Sequence, residues 1–450
     1  MKDAKVFLIA VLVIVVSGIP LMASEYRADE VIVKFKNRQP QVASAMALSE
    51  ERPVSLAVDD ADRAIAELKS NPDIEYVEPN YVIEAEAVPA DWPYIGQWAD
   101  MELESAWNLI DDRGPGEQVI VAVIDSGVDL AHPDLQGALI PGYDFANRDA
   151  SPEDDAGHGT KVCGILGALG NNGTGIAGVA WDVNMVIMPL KFMKNNDGKT
   201  TGNLSDAIDA IYYAVDHGAT VINASWGFTS YSRALEDAIT YAKDHGVLFI
   251  ASAGNAGQDN DASDHYPSNY TLDNIIVVAA LDSDGELALF SNYGTNSVDI
   301  AAPGVGITTT TLNGAYVSWA SGTSFATPFV AGIAAMVLSQ SPSLEYASVR
   351  NIILSTAVKN AAVPEDLLVA SGGCVNAYDA LMAEETYDPS SQATPTPGGG
   401  DTAEAPSSGG GGGGGGCLID VTRTTGNASC FIVFMIMIVL FQISRKKDLG

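Results

Sequence analysis

The stretch Val119-Ile120-Val121-Ala122-Val123-Ile124-Asp125 decides the fold. Six apolar residues, most of them β-branched, run without alternation and end in a carboxylate. An unbroken run of this kind suits a strand buried on both faces. The surrounding sequence agrees. Thr220–Ser225, Val247–Ser252 and Ile275–Ala280 read as further buried strands, and Asp206–His217 and Arg233–His245 as helices, each stopped at His-Gly. Alternation of strands and helices predicts an α/β fold with a doubly wound, mostly parallel sheet. Sites in such sheets gather at the carboxyl ends of the strands.

Three motifs stand at such ends. Asp125 closes the first strand in Val123-Ile124-Asp125-Ser126-Gly127-Val128. His158 lies in Gly157-His158-Gly159-Thr160, ahead of the helical stretch Lys161–Leu169. Ser324 lies in Gly322-Thr323-Ser324-Phe325-Ala326-Thr327-Pro328, opening the small-residue helix Phe329–Leu338. Singly, each has a structural reading as a strand-end cap, a packed histidine or an N-cap. Together they meet a chemical need: a serine hydroxyl is a weak nucleophile and requires a base, which a carboxylate holds in one tautomer. A fourth element, Ser252-Ala253-Gly254-Asn255, ends another strand and offers an amide donor for a tetrahedral oxyanion, beside the Ser324 backbone N–H.

On these motifs the stretch 26–383 resembles the secreted subtilisin-like serine proteases. The resemblance implies a triad of Asp125, His158 and Ser324 with Asn255 as oxyanion donor. It makes Ser225-Trp226-Gly227 the strand that pairs with the substrate backbone, and Ala253 and Gly254 part of the binding wall. The pocket is expected between Ser225–Gly227 and Ser252–Ala256, with Asp264-His265 near its base, where the acid would favour a basic P1 residue. Phe329 departs from the family, in which a histidine often follows the Thr-Pro pair. Cys163, just beyond His158, reads as a packing residue rather than a second nucleophile.

Gly173-Thr174-Gly175-Ile176-Ala177-Gly178 fits the dinucleotide pattern G-x-G-x-x-G, but a helical stretch precedes it and Val179–Pro189 after it reads as a strand. The strand-before, helix-after context is missing. In the resembled family this loop wraps a calcium ion. The resemblance implies a cage from Gly170, Asn172, Thr174 and Ile176, completed by Asp134 and Gln97, oxygen donors suited to a hard cation. Nothing in the sequence asks for an organic cofactor.

Residues 1–24 have the layout of a signal peptide: Lys2 and Lys5, the apolar run Val6–Val16, then small residues at Ala23-Ser24. Residues 25–90 form a small α+β unit, with strands at Glu30–Lys36 and Ile74–Ile83 flanking a helix at Asp60–Leu68. By resemblance this unit is an inhibitory propeptide, and 91–383 the catalytic domain. Residues 384–416 are a Pro/Gly/Ser-rich linker ending in the glycine run Gly409–Gly416. Residues 417–450 place Cys417, the tetrad Ile419-Asp420-Val421-Thr422, the apolar run Phe431–Phe441 and Arg445-Lys446-Lys447 in order. That order resembles a bacterial C-terminal sorting signal with an Ile/Leu-Asp-Val-Thr motif, processed by an intramembrane protease, and the basic cluster marks the cytoplasmic side.

The 450 residues carry 23 Lys and Arg against 57 Asp and Glu, a formal net charge of −34 at pH 7. Such a chain is repelled by phosphate backbones, which argues against nucleic-acid partners. Four cysteines are too few for a disulfide scaffold. The expected activity is an exported serine endopeptidase at the cell envelope, made as a self-processing zymogen and acting on proteins or peptides. A catalytically silent adhesin or scaffold on the same fold is the rival, against which the complete triad argues. An α/β-hydrolase esterase would need a Gly-x-Ser-x-Gly elbow and the order Ser, Asp, His, and neither occurs.

Overall fold

The computed structural model describes residues 26–36, 52–85, 101–359 and 368–384. Residues 1–24, Gln97 and the tail beyond 384, with their sequence-based expectations, lie outside that set. In chain order the elements are β1 (Tyr26–Phe35), β2 (Val54–Ala57), α1 (Ala61–Leu68), β3 (Ile74–Ala85), α2 (Leu103–Arg113), β4 (Val119–Asp125) and β5 (Tyr143–Asp144). Then come α3 (His158–Gly167), β6 (Met185–Lys191), β7 (Met193–Asn196), β8 (Lys199–Asn203), α4 (Leu204–Asp216), β9 (Val221–Ala224), β10 (Trp226–Gly227) and α5 (Arg233–Asp244). The chain continues through β11 (Leu248–Ser252), β12 (Ile275–Leu281), β13 (Ile300–Pro303), β14 (Ile307–Thr311), β15 (Ala315–Ala320), α6 (Thr323–Gln340), α7 (Tyr346–Ser355) and α8 (Ala377–Glu384).

Seven parallel strands, ordered β13-β12-β11-β9-β4-β6-β5, form the central sheet. β4 occupies the interior of this order, and Val121, Ala122, Val123, Ile124 and Asp125 are all buried, as the unbroken apolar run requires. Helices α4 and α5 each end before a glycine in the left-handed region, Gly218 at φ +83° and Gly246 at φ +78°, so the His-Gly stops close the helices where glycine carries no Cβ penalty. Helix α6 is buried along nearly its whole length. It is the one helix among the described residues long and apolar enough to cross a membrane, and its burial marks it as a core helix.

The small N-terminal unit packs α1 against β1 and β3 through Val31, Val33, Ala61, Ile74 and Val77, a core separate from the main one. One expectation is corrected. Val179–Pro189 is not one strand: Val179–Val183 is a turn region and β6 starts at Met185. The loop folds back on the end of α3, where the amides of Val179 and Ala180 donate to the carbonyls of Ile165 and Leu166 at 2.9 and 3.0 Å. A Cβ on Gly178 would lie 2.4 Å from the Ala168 nitrogen, so glycine permits this approach. Glu384, the first residue of the expected linker, closes α8 with its carboxylate 3.1 Å from Arg113.

Candidate active site

Asp125 ends β4 and His158 opens α3. The ring Nδ1 of His158 lies 2.8 and 3.0 Å from the two carboxylate oxygens of Asp125. A carboxylate only accepts, so Nδ1 carries a hydrogen. Among the described residues Nε2 has no hydrogen-bond partner although it is buried. The Ser126 amide donates to Asp125 Oδ1 at 2.6 Å and fixes that carboxylate further.

Ser324 sits in the first turn of α6 and is fully buried. Its Oγ donates to the Ser225 carbonyl at 3.1 Å, while Ser225 Oγ donates back to the Ser324 carbonyl at 2.8 Å. Pro328 explains the second bond. It lies four residues on and lacks an N–H, so the usual helical donor for the Ser324 carbonyl is missing and Ser225 substitutes for it. The Thr-Pro pair thus ties the serine turn to the strand that Ser225 leads. The Ser324 hydroxyl is hydrogen-bonded to Ser225, and His158 Nε2 is not its acceptor in this arrangement.

Asn255 follows β11 and accepts at Oδ1 from the Thr323 amide at 2.9 Å and from Thr323 Oγ1 at 3.1 Å. Committing the oxygen to the protein makes Nδ2 the end chemically suited to an oxyanion. The Gly254 amide donates to Thr323 Oγ1 at 3.3 Å, so Thr323 links the amide loop to the serine turn. Ala253 is buried, and its carbonyl accepts from Asn260 Nδ2 at 2.8 Å.

Trp226 contributes backbone rather than side chain to the cleft. Its indole is fully buried, donates to the Ile124 carbonyl at 2.9 Å and packs edge-on against Phe192. The backbone of β10 pairs antiparallel with β3 of the N-terminal unit, Trp226 opposite Ala85 and Gly227 opposite Glu84. On its other edge β3 pairs with β8, Val82 opposite Asn203, Ile83 opposite Gly202 and Glu84 opposite Thr201. The N-terminal unit therefore lays the end of its last strand between β10 and β8. The second wall, β8, was missed from sequence. Its signal was the turn Asn195-Asn196-Asp197-Gly198 between two short strands, a hairpin pattern.

The docking extends beyond the cleft. The Glu78 carboxylate accepts from Ser232 Oγ at 2.5 Å and from the amides of Arg233 and Ala234, all at the start of α5. Burial pushes the Glu78 carboxyl up despite those donors. Asn80, fully buried, accepts from the Ser205 amide at the start of α4. Arg52 stacks over Tyr212 and Tyr241 and pairs with Asp216 at 2.8 Å.

Cys163 is fully buried, and burial pushes its thiol well above the ordinary range, so it is an inert packing residue. Asp264 is exposed, whereas His265 is buried against Gly254. Among the described residues no three His, Cys, Asp or Glu side chains gather as a metal site. The expected calcium loop has a different donor set. Asp134 is fully buried, accepting from Asn172 Nδ2 at 2.6 Å and the Ile176 amide at 2.9 Å. The loop wraps so closely that a Cβ on Gly175 would lie 2.2 Å from Asp134 Oδ2. Asn172 Oδ1 accepts from the Thr174 amide at 2.8 Å.

The model of the Subtilase family matches residues 116–380, and that of the fervidolysin N-terminal prodomain matches residues 21–80. The chain belongs to the subtilase family. It is 39% identical over 377 residues to a thermophilic serine proteinase of Bacillus sp. (strain AK1), covering 79% of this chain and 88% of that one. Thermitase of Thermoactinomyces vulgaris is 37% identical over 282 residues, covering 63% of this chain and 94% of thermitase. Among solved structures, fervidolysin from Fervidobacterium pennivorans, described as a keratinolytic enzyme related to subtilisin, matches with a TM-score of 0.66 at 28% identity. That match covers 81% of this chain and spans 62% of fervidolysin. This subtilase is accordingly a subtilisin-like serine protease with an N-terminal prodomain, and its α/β fold is the subtilisin-like one expected.

Proposed function

We propose that this subtilase is an exported, self-processing endopeptidase in which Ser324 attacks the scissile carbonyl, His158 takes its proton, and Asp125 holds the imidazole and stabilises the imidazolium. Asn255 Nδ2 and the Ser324 amide would share the developing oxyanion. Ser225–Gly227, Ala253 and Gly254 would line the bound chain. The observation that carries this reading is the Asp125–His158 pair with Nε2 left open beside a serine turn, together with β3 lying antiparallel against β10. A unit that fills the cleft as a strand blocks it until it is cut, which is the logic of a zymogen. Nothing observed favours a silent adhesin. The test is Ser324→Ala in a protease-free host: the variant should stay at full length while wild type shortens. A variant that shortens normally would remove Ser324 as the nucleophile.

Two finer readings accompany it. Asp134, Asn172 and the carbonyls of Gly170, Thr174 and Ile176 would hold a structural calcium ion, with Gln97, and the buried Asp134 carboxylate ringed by the loop supports this. Binding would turn the amide oxygen of Asn172, rather than its nitrogen, toward the ion. Residues 417–450, outside the described set, would hold the enzyme at the cell envelope, the order tetrad, apolar run, basic end being the ground. Mass spectrometry of the C-terminal peptide from purified envelopes decides whether this segment is removed. An end near Cys417 is expected, and an intact Arg445–Gly450 would make it a permanent anchor.

A further inference from the structure

Strand β6 ends as β4 does, an apolar run closed by a charge: residues 185–190, then Lys191. The parallel register sets Lys191 directly beside Asp125. Its side chain is 1% exposed, so an ammonium lies in the interior next to the aspartate strand. Taking a charge out of water is costly, and an apolar side chain of similar volume often leaves a fold as stable or more so. Stability alone is thus a weak reason for a lysine here.

An ammonium has three donors, and three acceptors converge on Lys191 Nζ. They are the Ser126 carbonyl at 3.1 Å, the Glu153 carbonyl at 2.9 Å and Asp155 Oδ1 at 2.6 Å. The first belongs to the residue after Asp125. Ser126 is held from its other side too, because the Phe192 amide donates to the Asp125 carbonyl at 2.9 Å. That bond fixes the planar peptide group whose own N–H meets Asp125 Oδ1. The other two acceptors of Lys191 flank Asp154, whose Oδ1 takes the Gly157 amide at 2.8 Å, one residue before His158. Asp155 is 52% exposed and stays hydrated without the ammonium, whereas Ser126 is fully buried. Backbone bonds join Val128 to Pro152 and Asp154, so the two segments meet with or without Lys191. The ammonium sets the end nearest Asp125.

We propose that Lys191 is a positioning residue of the triad: its ammonium clasps the Ser126 end of the Asp125 strand to the loop before His158, and so fixes the Asp125–His158 hydrogen bond. The inference rests on the triad reading and adds to it a buried cation that touches neither substrate nor the transferred proton.

The bond is read as the low-field proton resonance of His158 Nδ1–H in the full-length Ser324→Ala protein, in which self-digestion is absent. Lys191→Met keeps the stem and removes the ammonium. The resonance should shift or broaden while the near-ultraviolet circular dichroism matches that of the parent. In the processed enzyme, kcat on a synthetic peptide of residues 80–95 should fall at least about 30-fold with KM changed less than about threefold. That split marks support lost in the transition state rather than in substrate binding. Lys191→Arg should show the same losses in smaller measure, because a guanidinium spreads its donors over three nitrogens while these acceptors converge on one. It also decides the matter if Lys191→Met does not fold. A folded variant of either kind with the parent's resonance and the wild-type kcat overturns the clasp. A lower kcat beside an unmoved resonance overturns it as well, since the effect then lies elsewhere, and so does failure of both variants to fold, which would make the lysine a residue of the fold. A wild type that cleaves no peptide overturns the triad reading instead, and the resonance, read in the Ser324→Ala protein, still decides the role of Lys191.

Discussion

Asp154 shows how much of the site rests on a residue that moves no proton. Its Oδ1 accepts from Ser126 Oγ at 2.8 Å, the Ala156 amide at 2.9 Å and the Gly157 amide at 2.8 Å. Its Oδ2 accepts from the Thr160 amide at 3.0 Å and from Thr160 Oγ1 at 2.6 Å. Ser126 Oγ in turn accepts from the Gly159 amide at 2.9 Å. One carboxylate therefore joins the residue after Asp125 to the turn on either side of His158. The first turn of α3 lacks a side-chain N-cap, and Asp154 supplies that function from outside the helix. Asp154→Ala strands these donors in the interior, where an unmade bond costs about 1–3 kcal/mol each. The expected result is a drop in kcat of at least about 100-fold and a lowered Tm, with Asp154→Asn milder in both. An unchanged kcat in a protein still folded at the assay temperature would remove Asp154 from the positioning of His158.

Among the elements, the 170–176 loop between α3 and β6 carries the clearest stability prediction. If it holds calcium, the ion binds the folded state alone, and a free concentration of 100 Kd adds about 2.7 kcal/mol. For a catalytic domain of this size that is several degrees in Tm. Thermal melts of Ser324→Ala, in which self-digestion is absent, should shift down in excess chelator, and Asp134→Ala should abolish the difference. An identical Tm with and without chelator would strike the calcium site. The loop also marks the limit of what the sequence disclosed. Strand β4 was legible to the residue because burial on both faces leaves an unbroken apolar run, and α4 and α5 because amphipathic spacing ends at His-Gly. Val179–Val183 misled because its apolar residues serve a turn packed on α3, and periodicity cannot separate a short buried turn from a strand. Asp125, His158 and Ser324 were legible as motifs. The β8 wall, the Asp154–Ser126 bond and the Ser225–Ser324 exchange were not, since each joins residues far apart in sequence, and only folding brings them together.

At the scale of the whole molecule, the excess of 57 acidic over 23 basic side chains sets the response to pH and salt. Burial pushes Asp182 up to about 7, with Asp111 adding to it and the backbone amide of Asp182 partly offsetting it. Burial also raises Asp206 to about 6 against the pull of Arg148. An unfolded Asp titrates near 3.9, so in the window from about 4 to 7 the folded chain binds more protons than the unfolded one. Stability must then fall as pH rises through that window. The acids held low by partners, such as Asp216 by Arg52 and Asp273 by Lys243, work in the opposite direction but titrate below it. Net charge reinforces the trend, because self-repulsion grows as carboxyls ionise. Melts of the Ser324→Ala precursor should show Tm decreasing from pH 5 to pH 8. Asp182→Asn should flatten the upper part of that decline, because the amide buries no charge at any pH. Raising NaCl from about 0.05 to 0.5 M should recover part of the loss at pH 8 by screening the surface charges, while half-buried Asp182, whose carboxylate oxygens are covered, is screened less. Salt and Asp182→Asn should therefore add when combined. A Tm that is level or rising from pH 5 to pH 8 would show that the low-titrating ion pairs, rather than the buried acids and the charge excess, govern the stability of this protease.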